Sequence, residues 1–240
     1  RSSISSRVRD ALRAAAEPAK AEPMRAYMKS EMPFLGVTKP ARVKALRPLL
    51  DELTFPEPRA WADAVRSVWD QALYREERYA ALALARHRRH AAHRAALGMD
   101  ALPLYQHLVV SGAWWDLVDE TALNLVQELL RLAPRSAKAE MRRWCKDADL
   151  WKRRTAIICQ VGRSFPTDVK LLFDCIDPNL EDRDFFIRKA IGWGLRDLAW
   201  TEPDTVRGYV DAHEDRLSGL SRREALKNVG RAVSAAGPSP

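Results

Sequence analysis

The chain has 240 residues, 47% of them hydrophobic and only ten of them glycine, which suits one or two helical domains better than turn-rich β-structure. Its 40 lysines and arginines exceed its 32 acidic residues by eight, so the composition favours a polyanionic partner. No run of 18 apolar residues and no signal-peptide pattern occurs. We therefore expect no membrane-spanning helix and a cytoplasmic protein.

Apolar residues recur with helical periodicity along most of the chain. The pattern i, i+4, i+7, i+8 is clear in residues 59–72 and returns in residues 114–132, 150–162 and 184–200. Proline and glycine stand in the breaks between these segments, and no segment alternates usefully with period two. The sequence therefore predicts an all-α protein.

Residues 86–94, RHRRHAAHR, place His87, His90 and His93 at i, i+3 and i+6. On a helix these three side chains span about 120°, so only neighbouring pairs could share a metal ion. The surrounding arginines would repel a cation, and we predict a basic outer helix with no metal. The three cysteines stand singly, which is typical of reduced thiols. No P-loop, dinucleotide fingerprint or zinc motif occurs, and no cofactor is expected.

Positive charge is concentrated in residues 131–163, which carry ten basic and three acidic residues, a net charge of 10 − 3 = +7. Trp144 and Trp151 interrupt this stretch. Such a run is often only a solvated helix face, but aromatic residues among concentrated positive charges favour a nucleic-acid surface.

Three segments can be laid over one another as repeats: WWDLVDETALNLV, LWKRRTAIICQVG and FFIRKAIGWGLRDLA. In this alignment Asp119, Arg154 and Lys189 coincide at steps of 35 residues (154 − 119 and 189 − 154). Helix pairs with such a period are typical of α-solenoids. We predict one repeat domain over residues 1–240, a curved superhelix with a basic concave cleft, with frayed ends at residues 1–5 and 235–240.

An acid and two indoles stand out in these repeats. Trp115 and Asp119 are four residues apart and would share a helix face, Arg154 lies on the next repeat, and Trp193 on the one after. Each has a structural alternative: core packing for the tryptophans, and a repeat-linking ion pair for Asp119 with Arg154.

At these positions the chain resembles the AlkD-type DNA glycosylases, which are HEAT-like-repeat enzymes of alkylation repair. The motifs that carry the likeness are YMKSEMPFLGVTKPAR, WWDLVD, LWKRRTAI and FFIRKAIGWGLRD, in the family's order and over nearly the whole chain. The resemblance implies that Asp119 is the catalytic acid, that Trp115 and Trp193 are the cleft tryptophans, that Arg154 contacts DNA, and that Tyr27 belongs to the N-terminal signature.

We also predict DNA contacts for Arg153, which stands beside Arg154, and for Lys189, which occupies the next repeat position. The activity that the resemblance implies is hydrolysis of the N-glycosidic bond of purines alkylated at N3 or N7 in double-stranded DNA, and we expect a monomer associated with the nucleoid. Three alternatives stay open: a glycosylase for bulky adducts in self-resistance, a non-catalytic module that binds damaged nucleic acid, and a protein-interaction scaffold.

Overall fold

The structure, a computed structural model, describes residues 3–162 and 166–229. All regular secondary structure in these ranges is helical, which confirms the all-α prediction. The chain divides into two compact units, Arg1–Leu104 and Tyr105–Pro240. The single domain over residues 1–240, its curvature and its basic concave cleft stay predictions. None of the helices described is long and apolar enough to cross a membrane.

The first unit begins with a helix that has a side-chain cap. Its α-helices are α1 (Ile4–Ala14), α2 (Pro18–Met28), α3 (Lys39–Glu52), α4 (Pro58–Asp70), α5 (Arg75–Arg86) and α6 (Ala91–Leu97). The Ser3 hydroxyl accepts a hydrogen bond from the Ser6 amide at 3.1 Å, and Ser5 is buried. Fraying of residues 1–5 and 235–240 stays a prediction, and residues 1–2 and 235–240 lie outside the described residues.

The loop after α2, part of the N-terminal signature, is held by a buried carboxylate. The amides of Leu35, Gly36 and Val37 all donate to Glu76, which is fully buried. Gly36 has φ +81°, and a Cβ there would lie 2.1 Å from the carbonyl oxygen of Glu17. Glycine is therefore required at this position, because a side chain would clash and the backbone lies in the left-handed region.

The histidine-rich segment is not a single outer helix. A short 3-10 helix, Arg88–His90, precedes α6, and the ring of His90 lies 5.7 Å from that of His87 and 5.9 Å from that of His93. Phe55 packs its edge on His90 at 5.0 Å, and only 2% of His90 is exposed. The prediction of a basic outer helix is wrong for His90, which the Phe55 contact draws inside. No metal-binding group of three or more side chains occurs among the described residues.

This burial makes the first unit sensitive to acid. Burial and the neighbouring charges of His87 and His93 lower the pKa of His90 to about 4. Because the pKa of His90 is lower in the folded than in the unfolded protein, protons bind more readily to the unfolded chain. The contribution of His90 to the free energy of unfolding is therefore complete above about pH 6.5 and is lost as pH falls towards 4. Between pH 7 and pH 4, we expect the free energy of unfolding to fall by about 3 kcal/mol less in the variant His90→Phe than in the wild type. Urea unfolding at both pH values measures this, and equal losses in both proteins would contradict it.

The second unit holds the predicted repeats. Its α-helices, of which the first crosses the boundary between the units, are α7 (Leu102–Gly112), α8 (Trp115–Glu120), α9 (Gln127–Leu132), α10 (Pro134–Trp144), α11 (Leu150–Ile158), α12 (Val169–Ile176), α13 (Phe185–Leu198), α14 (Pro203–Ala212) and α15 (Gly219–Ala225). Proline begins α10 and α14, where the missing amide hydrogen costs nothing. All three cysteines are free and buried, as the sequence predicted.

The 35-residue period is visible in the hydrogen bonds at two helix starts. Asp149 caps α11 by accepting from two amides, and its own amide donates to Asp147 at 2.9 Å. Thirty-five residues later Asp184 caps α13, and its amide donates to Asp182 at 2.8 Å. The same cap therefore starts the corresponding helix of successive repeats, which supports the helical-repeat fold.

Candidate functional site

Asp119, in α8, and Arg154, in α11, form a bidentate ion pair. The Arg154 Nε atom donates to Oδ1 of Asp119 at 2.7 Å, and an Nη atom donates to Oδ2 at 2.7 Å. The other Nη atom donates to the carbonyl oxygen of Phe186, in the first turn of α13, at 2.7 Å. The side chains of Arg154 and Asp119 are 6% and 14% exposed. One guanidinium thus fixes the carboxylate and joins three successive repeats.

The backbone directly after this acid is irregular. Thr121–Val126 forms a π-helical turn that joins α8 to α9. The Thr121 hydroxyl donates to the main-chain carbonyl oxygen of Leu117 at 2.9 Å, and the Asn124 side-chain amide donates to the main-chain carbonyl oxygen of Glu120 at 2.8 Å. Single π turns inside helices frequently mark functional sites. This turn therefore supports a special role for the end of α8, where Asp119 stands.

Burial and pairing act on Asp119 in opposite directions. Burial raises the pKa of the Asp119 carboxyl above its ordinary value, while the hydrogen bonds and charge of Arg154 lower it. Burial prevails because little solvent reaches the pair. Such a carboxylate depends on its arginine to stay ionised, and it is poorly hydrated, which strengthens its field at any cationic group placed beside it.

An aromatic cluster stands beside the ion pair. The rings of Trp114, Trp151 and Phe186 come from three successive repeats and lie 5.0 to 6.1 Å apart. The Arg154 guanidinium carbon lies 6.0 Å from the centre of the Phe186 ring. The sequence reasoning did not use Phe186, although its 35-residue distance from Trp151 was a signal for it.

The two predicted cleft tryptophans lie on different helices. Trp115 begins α8, one helical turn before Asp119 and on the same face, and it is half-buried. Trp193 lies within α13 and is also half-buried. A Cβ on Gly194 would come within 3.1 Å of Leu172, so the small residue after Trp193 allows α13 to pack closely on α12. Both indoles keep part of their surface accessible.

The remaining predicted contacts are made by residues whose side chains have other partners or that belong to the first unit. Arg153 donates to Asp182 at 3.1 Å and to two main-chain carbonyl oxygens, and Lys189 donates to Glu224 at 3.1 Å. Tyr27 lies in α2 of the first unit and is 79% exposed. Arg154 thus forms an ion pair with Asp119, while Arg153 pairs with Asp182 and Lys189 pairs with Glu224.

Glu224 was missed by the sequence reasoning. It lies 35 residues after Lys189 (224 − 189), the next step of the series that begins at Asp119. Its ion pair with Lys189 repeats the pairing of Asp119 with Arg154, with the order of charges reversed. Extending the repeat register by one step would have found it.

The positively charged stretch, residues 131–163, carries less uncompensated charge than the sequence indicated. Seven of the nine basic residues that the structure describes in this stretch form ion pairs, several with acids outside it. The pairs are Arg131 with Glu128, Lys138 with Asp168, Arg142 with Asp174, Arg143 with Glu140, Lys152 with Asp147, Arg153 with Asp182 and Arg154 with Asp119. Much of the local excess of +7 is therefore compensated within the fold.

The fold and this site define a helical-repeat protein in which a buried acid and arginine join successive repeats. A family model described as DNA alkylation repair enzyme matches residues 8–229, and the chain belongs to this AlkD-type family. Its solved structural relatives include a predicted DNA alkylation repair enzyme from Enterococcus faecalis, which is 28% identical, has a TM-score of 0.76 and matches 88% of this chain and 95% of its own. A comparison with curated protein sequences gave no match. Family membership assigns the protein a role in repairing alkylated DNA.

Proposed function

We propose that the protein is a DNA glycosylase that hydrolyses the N-glycosidic bond of purines alkylated at N3 or N7 in double-stranded DNA. The observation that carries this proposal is the Asp119 carboxylate, fixed through both oxygens by Arg154 and still 14% exposed. A fixed, poorly hydrated carboxylate stabilises positive charge that develops nearby.

The chemistry needs little more than such a group. Alkylation at N3 or N7 makes the purine cationic and a good leaving group, so breaking its bond to the sugar requires little acid catalysis. The sugar then gains oxocarbenium character, which Asp119 stabilises, and the same carboxylate accepts a proton from the attacking water. Trp115 and Trp193 hold the cationic nucleoside through cation–π contacts, each of which contributes about 0.5–2 kcal/mol.

Binding to the DNA backbone completes the proposal. Arg154 uses three N–H groups inside the protein, and its two remaining N–H groups would contact a phosphate near the lesion. Tyr27, Arg153 and Lys189 are proposed to contact the backbone at other points. Phosphate contacts of this kind fix the position of the protein along the duplex.

The test is direct identification of the released base. The protein is incubated with duplexes that contain 7-methylguanine, 3-methyladenine or a bulky cationic adduct, and the freed bases are identified by mass spectrometry. Release of methylated bases supports the proposal, whereas release of bulky adducts alone assigns the protein to the self-resistance alternative.

A non-catalytic binding module is the second candidate. It is favoured by one observation: the ion pair of Asp119 with Arg154 also joins two repeats, as a purely structural pair would. Tight binding to alkylated duplex with no base release in any arm would establish this alternative.

A further inference from the structure

The buried carboxylate of Glu224, in α15, gathers three cations. Lys189 and Lys227 donate to it at 3.1 and 2.6 Å, and Arg196 donates to its second oxygen. Only 6% of Glu224 is exposed. These cations, Lys227 foremost, hold its pKa below the ordinary value, so it is ionised at neutral pH. Three cations around one carboxylate leave a local charge of 3 − 1 = +2.

Two of these cations lie on the α13 face that carries Trp193. Lys189, Trp193 and Arg196 stand at i, i+4 and i+7, and so share one side of the helix. Seven residues of helix rise about 10 Å, so the backbones of Lys189 and Arg196 stand one before and one after Trp193 along the helix, while both charged ends converge on the Glu224 carboxylate. The side chains of Lys189 and Arg196 are 39% and 30% exposed, so a ligand can reach both.

The position of Glu224 relative to α13 is fixed by close packing. A Cβ on Gly192 would lie 2.5 Å from the Cβ of Glu224, so only glycine allows this approach. Ser221 and Asn228, on either side of Glu224, donate to main-chain carbonyl oxygens of α13 at 2.9 and 3.1 Å. The carboxylate is therefore held rigidly beneath the two cations.

We propose that Glu224 is a positioning residue that holds Lys189 and Arg196 as a clamp for two DNA phosphates, one on either side of the nucleotide engaged at Trp193. The inference rests on the proposed function for the identity of that nucleotide. Long basic side chains lose rotamer freedom when they bind a ligand, and ordering them beforehand reduces that cost. Their remaining N–H groups are free to donate to phosphate oxygens, which accept charge-assisted hydrogen bonds.

The first experiment separates positioning from simple charge. Glu224→Gln removes a negative charge, so binding to unmodified duplex should not weaken, yet single-turnover base release should fall about tenfold because the clamp is no longer aligned. Glu214→Gln is the matched control, since Glu214 is an exposed carboxylate that pairs with Arg222 in the same unit, and its rate should stay at the wild-type value. All rates are measured where circular dichroism shows each variant to be folded.

A combined variant tests the route of the effect. If Glu224 acts through the two cations, adding Glu224→Gln to Lys189→Met/Arg196→Met causes no further loss. A Glu224→Gln rate within about twofold of the wild type, or a further tenfold loss in the combined variant, would overturn the inference. Should Glu224→Gln not fold, Glu224→Asp takes its place, because it withdraws the carboxylate by one methylene group and predicts the same loss.

The clamp is also tested without any base release. Lys189→Met and Arg196→Met should each lower the slope of log K against log salt by about 0.9 on unmodified duplex. Unchanged slopes would overturn the clamp even in an active glycosylase. Lower slopes in a protein that releases no base would contradict the proposed function and leave the phosphate contacts standing.

Discussion

Asp119→Asn is expected to lower the single-turnover rate of base release about 10²- to 10³-fold, while duplex binding stays equal or becomes tighter. The asparagine has the same shape but no negative charge to stabilise the oxocarbenium-like sugar or to accept a proton from water. Binding should persist because the substitution removes a carboxylate that repels phosphate. Quench-flow assays on 7-methylguanine duplex and fluorescence anisotropy on the same duplex measure the two quantities.

The stability of this variant needs its own control, because Asp119→Asn leaves Arg154 buried without a counter-charge. Removing one partner of a buried pair costs about 3–5 kcal/mol, whereas removing both costs much less. Asp119→Asn/Arg154→Met should therefore be more stable than Asp119→Asn and equally inactive. Asp174→Asn disrupts another carboxylate–arginine pair of the second unit, with Arg142, and should retain full activity. Base release by Asp119→Asn at the wild-type rate would remove Asp119 from the chemistry.

The sequence predicted those parts of the fold that depend on local pattern. Apolar periodicity predicted the helices that became α4, α8, α9, α11 and α13, because burying one helix face requires that spacing. The 35-residue register placed Asp119 and Arg154 at equivalent repeat positions and left a linking ion pair open as an alternative. Their contact at 2.7 Å follows from that register, since stacked repeats bring equivalent positions side by side.

What the sequence could not supply depends on contacts between distant segments. His90 is buried because Phe55, thirty-five residues earlier, packs on its ring, and no local pattern predicts that contact. Part of the positive charge of residues 131–163 is neutralised by ion pairs with Asp168, Asp174 and Asp182, which come later in the sequence. The π turn after Asp119 is equally invisible, because its irregular hydrogen bonds do not alter the helical spacing of apolar residues.

Arg154→Met is expected to produce the second large effect, through the ionisation of Asp119. The substitution removes the charge and hydrogen bonds that lower the pKa of this carboxyl, so burial and the charge of Asp116 act unopposed and the pKa rises further. The carboxylate needed for base release then forms only at higher pH. We expect the acidic limb of the pH–rate profile to move upward, and we expect alkaline buffer to restore part of the lost activity.

Stability should follow the same titration. A carboxyl whose folded pKa exceeds its unfolded value stabilises the protein at low pH, and this contribution is lost as pH rises through the folded pKa. Arg154→Met should therefore be destabilised more at pH 8 than at pH 5, by up to about 3–5 kcal/mol at the alkaline end. Urea unfolding at the two pH values measures the difference, and Asp119→Asn/Arg154→Met, with no titrating group left in the pair, should lose this pH dependence.

The salt dependence of binding decides whether Arg154 also contacts DNA. A phosphate contact through its two remaining N–H groups predicts that Arg154→Met lowers the slope of log K against log salt by about 0.9. An unchanged slope together with a shifted pH–rate profile would restrict Arg154 to positioning Asp119. An unshifted profile would contradict the ionisation argument itself, because a guanidinium that donates to both oxygens of a buried carboxylate cannot be removed without changing the pKa of that carboxylate.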